Sequence, residues 1–418
     1  MPAAGEANRR VILWRLSQSL MLGVIYVISL TLDKESAGRV FFYMAVSQLA
    51  ANADLGFSTR VIQHLRLIRD SAAEHHAASM HRFGWELMKI ALVISVLTAV
   101  IAIGITQFAL GARSIDLLFV GLLFLATIAT WILLAAEGEN GTRAVIDARL
   151  YSNLLSVVFI VTLYFSNHPH EVIYALCLPL VLPAGYFSRQ VFRLFFGNTG
   201  RSRALAAGSG AAALFPYLPG MTLQSICWFI SFSAVGIVAT REFGLSQAAE
   251  IGLTFGLLNQ VYSMSAFFFR ARLTSFIDAV RAKDYPGVSV ILRESTAITT
   301  AIFAIGVLLI IAAVALDEYV LRFGIAARLL AIPMLCFLGL AWYARTLVDI
   351  ASFVARALGD EPFTLIAVFH ALLVSFFFFT WQVLGYVPGL AVYGLLFGPV
   401  LFLLHGAIAL RRLQRWRH

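Results

Sequence analysis

The sequence predicts an all-α integral membrane protein with about twelve transmembrane helices, arranged as two six-helix bundles with a central cavity. Of its 418 residues, 60% are apolar and only 13% are charged, about half the charged fraction of a typical soluble protein. Because one bilayer crossing uses roughly 20 apolar residues, the ~250 apolar residues suffice for about twelve helices. Lysine and arginine are concentrated on one predicted side of the membrane, which fits an even number of crossings.

Twelve apolar windows, bounded by charged residues, Pro or Gly, account for most of the chain in order. They lie at about 11–32, 38–58, 84–110, 115–136, 145–166, 171–195, 212–240, 247–269, 292–315, 327–352, 362–384 and 387–410. This leaves no folded water-soluble module, and the sequence has no G-x-x-x-x-G-K-[ST] phosphate-binding loop. Nucleic-acid binding and most kinds of nucleotide-driven pump are therefore excluded.

The distribution of positive charge predicts that both termini are cytoplasmic. With that orientation, 25 of the 31 Lys and Arg residues fall on inner loops and helix ends. Six fall on the outer side, namely Lys34, Arg39, Arg113, Arg241, Arg322 and Arg328. An odd number of spans would destroy this agreement with the positive-inside rule.

A Gly/Ser-rich basic stretch divides the windows into two sets of six. It predicts an N-terminal bundle over 1–196, a cytoplasmic linker over 197–211 and a C-terminal bundle over 212–418. A shift of 212 residues places the second span and basic loop of one half on those of the other, matching Ala37 with Ala249, Gln48 with Gln260, Arg60 with Arg272 and Arg69 with Arg281. Since six is even, the halves are parallel repeats, which predicts a cavity between them.

Two glycine pairs within the second half have the spacing that allows close helix approach. They are Gly252-x-x-x-Gly256 and Gly394-x-x-x-Gly398. The pattern predicts close packing between helices and indicates no functional role.

Ionisable groups inside the spans are the first candidates for a function, because each costs roughly 2.5 to 3.5 kcal/mol to insert. They are Arg15, Asp54, Glu137, Arg189, Arg345 and Asp349, with further arginines at inner helix ends. Guanidinium groups bind phosphate oxygens in a bidentate manner, so Arg15, Arg60, Arg270, Arg272 and Arg345 are candidate substrate-binding residues. The neutral candidates for contacts with sugar hydroxyls are Gln18, Asn52, Asn259 and Gln260.

Each of these assignments has a structural alternative. Arg15 lies about one turn from the inner end of its span and can extend its head group to the interface. The inner-end arginines also satisfy the positive-inside rule, and the polar amides also suit helix packing. Arg345 and Asp349 are four residues apart, which allows a self-contained ion pair.

Asp54 and Asp349 are the candidate carboxylates for ion coupling. For Asp54 the alternative is a structural role in capping the turn at Gly56. The three cysteines lie far apart within apolar windows and the histidines are irregularly spaced, so the sequence predicts neither a metal site nor a bound cofactor.

Two segments carry a family resemblance. The first is Asp54-Leu55-Gly56-Phe57-Ser58-Thr59 with Val61-Ile62-Gln63, and the second is Ser275–Tyr285 followed by Arg293-Glu294-Ser295. They resemble bacterial polysaccharide flippases, the Wzx-like O-antigen repeat-unit translocases of the multidrug/oligosaccharidyl-lipid/polysaccharide exporter superfamily. One departure is Gly38-Arg39-Val40-Phe41, where the family has Gly just ahead of an aromatic residue.

The resemblance implies a flippase that moves an undecaprenyl-diphosphate-linked oligosaccharide from the inner to the outer leaflet by alternating access, without covalent chemistry. It further implies coupling to H+ or Na+ and a place in the bacterial cytoplasmic (inner) membrane, in the biosynthesis of lipopolysaccharide O-antigen or a similar polysaccharide. The implied partners are the lipid-linked oligosaccharide, membrane lipids and the polysaccharide polymerase machinery.

Two other functions stay open. A membrane-embedded polysaccharide polymerase or glycosyltransferase would need a large loop with catalytic groups, whereas the predicted outer loops are all short. A cation/drug antiporter of the same superfamily would expose acids to its cavity, whereas the intramembrane charge here is mainly basic. We therefore expect a transporter and not an enzyme, and rank the antiporter behind the flippase.

Overall fold

The structure, a computed structural model, is helical throughout the part of the chain that it describes. The described residues are 2–51, 61, 65, 73–111, 115–140, 142–166, 168, 171–196, 218–272, 276, 279–280, 282–357 and 363–417. They form two compact units. One comprises Met1–Ser36 with Phe42–Phe229, and the other Ala37–Phe41 with Ile230–His418.

The first unit contains seven described helices. They are α1 (Pro2–Thr31), most of α2 (Lys34–Ala51), α3 (Ala73–Leu110), α4 (Leu117–Asn140), α5 (Thr142–Phe165), the short α6 (Val172–Ala175) and α7 (Leu178–Phe196). Its buried core joins α3, α4 and α7 through large apolar side chains such as Phe83, Trp131 and Phe195.

The next helix, α8 (Leu218–Phe232), belongs to the first unit up to Phe229 and to the second unit from Ile230. The second unit also contains seven whole described α-helices. They are α9 (Ala234–Phe243), α10 (Leu245–Ala271), α11 (Tyr285–Leu316), α12 (Ile332–Ala357), α13 (Phe363–Leu384), α14 (Tyr386–Leu395) and α15 (Leu401–Arg417). A π-helical turn, Leu396–Val400, contains Pro399 and joins α14 to α15. The core around it is aromatic, with Trp342, Trp381 and Tyr393 buried.

The prediction of an all-α membrane protein is confirmed. Eight helices of the described chain are long and apolar enough to cross a bilayer, or nine if the bent pair Thr222–Phe232 and Ala234–Phe243 forms one span. Each of the twelve predicted windows is occupied, wholly or in part, by helix. The three windows beyond those nine hold α2, α6 with α7, and α10, which are the more polar segments.

Helix boundaries repeat at the shift that the sequence indicated. Thr31 ends α1 and Phe243 ends α9, and these two helix ends are 212 residues apart. The linker at 197–211 lies outside the described residues, and the predicted domain boundary there stays a prediction.

Aspartate side chains fix the starts of three helices by accepting a hydrogen bond from a backbone N–H in the first turn. These bonds join Asp33 Oδ1 to Ser36 N (2.9 Å), Asp116 Oδ1 to Phe119 N (2.9 Å) and Asp284 Oδ1 to Gly287 N (3.0 Å). The caps satisfy N–H groups that have no partner within the helix. They set where α2, α4 and α11 begin.

Glycines permit close approach of neighbouring helices in the second unit. A Cβ atom at Gly252 of α10 would lie 2.5 Å from Phe41 Cβ, and one at Gly398 would lie 2.8 Å from the carbonyl carbon of Ala341. Both positions belong to the two glycine pairs identified from the sequence. Close packing at these positions is thus confirmed.

Candidate functional site

An ion pair lies within α12 of the second unit, inside the apolar stretch Ile332–Ser352. Arg345 Nη2 is 3.6 Å from Asp349 Oδ1, and the two side chains are 16% and 14% exposed. Their spacing of four residues puts both on one face of the helix. The pair that the sequence allowed is therefore formed, with little access to solvent.

Two further helices contact this pair. The Tyr262 hydroxyl of α10 donates a hydrogen bond to Asp349 Oδ2. The guanidinium carbon of Arg345 lies 4.1 Å from the centre of the Phe232 ring of α8, a cation–π arrangement. The charged pair therefore links α8, α10 and α12, and a change in its charge bears on all three.

His370 of α13 lies beside the same cluster, fully buried. Its Nε2 is 2.9 Å from the carbonyl oxygen of Leu396, in the π-helical turn. Because a carbonyl only accepts, Nε2 carries a hydrogen. Nδ1 is hydrogen-bonded to the Ser231 hydroxyl at 2.8 Å, and in a neutral ring Nδ1 accepts from it. The Ser231 carbonyl in turn accepts from the Tyr393 hydroxyl at 2.9 Å.

His370, Tyr262 and Tyr393 were not among the predicted site residues. The signal for His370 was present, since it is an ionisable residue in the middle of an apolar window. Tyrosine is common in spans and its partner is set by packing, so no sequence signal singled out Tyr262.

A second polar contact set joins α1 and α5 of the first unit. Arg10 pairs with Asp147, and Asn153 Nδ2 donates to Ser17 Oγ at 3.0 Å. The two contacts advance in the same direction along both helices, so α1 and α5 run parallel. This agrees with the expectation that the first and fifth spans start on the same side.

Arg15 lies at this α1–α5 contact. Its Nη1 donates to Gln18 Oε1 at 2.9 Å, and its guanidinium carbon lies 4.3 Å from the Trp14 ring centre. The guanidinium carbon of Arg149, from α5, lies 5.6 Å from the same ring centre. Two predicted binding residues, Arg15 and Gln18, are thus neighbours, and Trp14 and Arg149 join them.

The remaining predicted residues are distributed along the chain. Arg272, at the end of α10, pairs with Glu294 of α11 at 2.7 Å, and both are half-exposed. On α10, Asn259 is exposed and Gln260 is half-buried, while Arg270 lies near the helix end with its side chain outside the described set. Asn52, Asp54 and Arg60 lie outside the described residues.

The predicted binding residues therefore do not all belong to one unit. Arg15 and Gln18 are in the first unit, whereas Arg272, Arg345 and Asp349 are in the second. The structure supports two local groups, the ion pair of α12 and the arginine–tryptophan contact of α1 and α5.

A surface concavity of about 580 Å³ lies where α11 ends and α12 begins. Asp317 at its edge is buried and accepts hydrogen bonds from Phe323 N (2.8 Å) and Ala326 N (2.7 Å). Both carboxylate oxygens thus hold the loop that shapes the concavity. We assign Asp317 a structural role.

Comparison with known proteins gives matches at the level of the fold. No protein-family model and no curated protein matches the sequence. Among solved structures, MATE in the straight conformation superposes with a TM-score of 0.62 at 14% identity, covering 99% of this chain and 96% of that chain. An outward-facing multidrug resistance MATE family transporter of the MOP superfamily gives 0.58 at 16% identity, covering 98% and 96%.

A third similar structure is a MOP superfamily transporter from Pyrococcus furiosus Vc1, with a TM-score of 0.57 at 14% identity over 100% of this chain and 96% of that chain. It is described as having a binding pocket of reverse polarity that suggests a different function. This chain therefore has the fold of MATE transporters of the MOP superfamily. The fold is the one expected from the family resemblance, while membership of that superfamily and of its polysaccharide flippase branch stays a prediction.

Proposed function

We propose that this chain is a cation-coupled transporter that works by alternating access, with Asp349 as the residue that binds the coupling H+ or Na+. The observation that carries the proposal is the ion pair of Arg345 and Asp349 within a transmembrane helix, joined by Tyr262. The MATE-like fold supports transport rather than catalysis. It also favours the cation/drug antiporter, which sequence analysis ranked behind the flippase.

Cation binding at Asp349 changes the contacts of three helices. A proton or sodium ion on the carboxylate weakens its attraction for Arg345 and competes with the hydrogen bond from Tyr262. Removing one partner of a buried ion pair costs about 3–5 kcal/mol. A bias of that size shifts a two-state equilibrium by roughly a hundredfold or more, which is sufficient to select between two transporter conformations.

The test uses the full chain in proteoliposomes with an imposed H+ or Na+ gradient and ethidium as the cationic drug probe. Wild-type protein should use the imposed cation gradient to move ethidium in the direction opposite to the flow of H+ or Na+. Asp349→Asn should abolish gradient-driven movement at matched protein levels, and Tyr262→Phe should shift its dependence on pH or sodium. Glu86→Gln, which neutralises a carboxylate paired with Arg82 in the first unit, is the matched control. Full activity of Asp349→Asn would refute the coupling role.

A second candidate is the lipid-linked oligosaccharide flippase expected from the family resemblance. The observation that favours it is the group of guanidinium side chains at α1 and α5, since arginine binds phosphate in a bidentate manner. On this hypothesis the chain acts in the bacterial inner membrane beside the polymerase machinery, and Arg60, Arg270 and Arg272 contribute further positive charge.

The two candidates differ in cargo, so one vesicle preparation separates them. Ethidium transport without translocation of undecaprenyl-diphosphate-linked oligosaccharide supports the antiporter, and the reverse supports the flippase. For the flippase, single Ala and Lys replacements of Arg15 and Arg345 extend the test. The Ala variants should lose oligosaccharide translocation and the Lys variants should recover part of it, because lysine keeps the positive charge but lacks the bidentate guanidinium group.

A further inference from the structure

We propose that Trp14, Arg15 and Arg149 form a binding site for the phosphate group of an anionic phospholipid, between the starts of α1 and α5. The site lies in the first unit, whereas Asp349 lies in the second. It is a lipid-binding site and does not depend on the identity of the transported substrate.

The position along the helices matches the depth of lipid phosphates. The apolar windows of α1 and α5 begin at about residues 11 and 145. Arg15 and Arg149 therefore each lie about 6 Å beyond the polar boundary, at 1.5 Å per residue. An arginine stem bridges such a distance and carries its head group to the interface. Trp14 is of the residue type that is enriched at that interface.

The two guanidinium groups meet at one aromatic ring. Both guanidinium carbons lie close to the same Trp14 ring centre, at 4.3 Å and 5.6 Å. Their separation therefore does not exceed the sum of these distances, about 10 Å. Gln18 holds one Nη of Arg15 at 2.9 Å, which orients the fork before a ligand arrives. A planar ring beside both guanidinium groups restricts their rotamers, so less entropy is lost on binding.

The charge of the contact set favours an anion. Among the side chains that the structure describes in this contact set, Asp147 pairs with Arg10, and Arg15 and Arg149 each add a positive charge. A phospholipid phosphate brings the opposite charge and several acceptor oxygens.

Neighbouring surfaces favour a lipid as the source of the phosphate. Leu13, Leu16 and Leu20 of α1 are each close to half exposed, and Tyr151 and Leu155 of α5 are more so. Apolar side chains next to a phosphate site suit the acyl chains of a lipid, whereas a free phosphate ion gains nothing from them.

The experiment measures lipids that stay bound to the purified full chain, using native mass spectrometry after reconstitution with equal phosphatidylglycerol and phosphatidylcholine. Wild-type protein should retain phosphatidylglycerol preferentially. Arg15→Ala with Arg149→Ala should reduce that preference by about tenfold or more, because neither guanidinium group then donates to the phosphate. Arg149→Lys should give an intermediate value and stands in if the double variant does not insert. The control is Arg193→Ala, an exposed arginine on α7.

Three outcomes would overturn the proposal. An equal loss in Arg193→Ala would show that general surface charge, not this site, selects the lipid. Displacement by millimolar inorganic pyrophosphate would identify a free phosphate as the ligand. Displacement by polyprenyl diphosphate, with retention of that lipid at the site, would make this a substrate site. These outcomes are independent of the Asp349 test, because each is scored on lipid retention and not on transport.

Discussion

Replacing Gly252 by Ala tests how closely α10 packs in the second unit. The new Cβ atom would lie 2.5 Å from Phe41 Cβ, about 1 Å inside ordinary van der Waals contact. Rotation of the Phe41 ring does not relieve this overlap, because a Cβ position is fixed by its own backbone. The helices must separate, and overpacking of this kind costs about 1–3 kcal/mol.

The comparison variant is Gly104→Ala in α3, where a Cβ would meet nothing within 4 Å. That change should raise stability by up to about 1 kcal/mol, since alanine is the better helix former. We therefore expect the thermal midpoint of Gly252→Ala in detergent to fall several degrees below that of Gly104→Ala. The assay is size-exclusion chromatography after stepwise heating.

A double-mutant cycle identifies the atom responsible. Adding Phe41→Ala to Gly252→Ala removes the ring and keeps the overlapping Cβ, so it should not restore stability. Adding Phe41→Gly removes that Cβ and should recover part of the loss, which appears as a coupling free energy between the two sites. If Gly252→Ala is as stable as Gly104→Ala, the close approach of Phe41 to Gly252 is wrong.

Three further perturbations test other parts of the structure. Asp317→Ala removes two charge-assisted hydrogen bonds and should lower the free energy of unfolding by about 3 kcal/mol or more. We expect a lower thermal midpoint for this variant, with the midpoint of Asp317→Asn between it and wild type. An unchanged midpoint would contradict the structural role of Asp317 in the loop. At Asp33, hydrogen bonds from Ser36 lower the pKa below 3.8, so the cap stabilises the fold above that pH and the stabilisation is lost as the pH falls through the lowered pKa. The midpoint difference between wild type and Asp33→Ala should therefore shrink in acid, and a difference that grows there would reject the cap. Reporter fusions after residue 205 and at the C-terminus should both report the cytoplasm, and an outward signal at either place removes the two-by-six topology.

The local sequence determined the helical membrane class and the places where helices form. Apolar windows predict spans because the bilayer core satisfies no backbone polar group, so every crossing segment must form its own hydrogen bonds. The 212-residue shift rested on few identities, yet Thr31 and Phe243 end helices at that spacing. Charge counting likewise predicted that spans 1 and 5 start on the same side, in agreement with the parallel course of α1 and α5.

Only the tertiary structure decided which polar side chains meet. The pair of Arg345 and Asp349 was foreseeable because a separation of four residues is fixed by the helix itself. Contacts such as Tyr262 with Asp349, or Arg149 with Trp14, join residues about 90 and 135 positions apart. Their formation depends on how whole helices rotate and pack, which the pattern of one helix does not encode. The sequence therefore determined the class of protein and its candidate ionisable side chains. Helix packing determined which other side chains those residues contact.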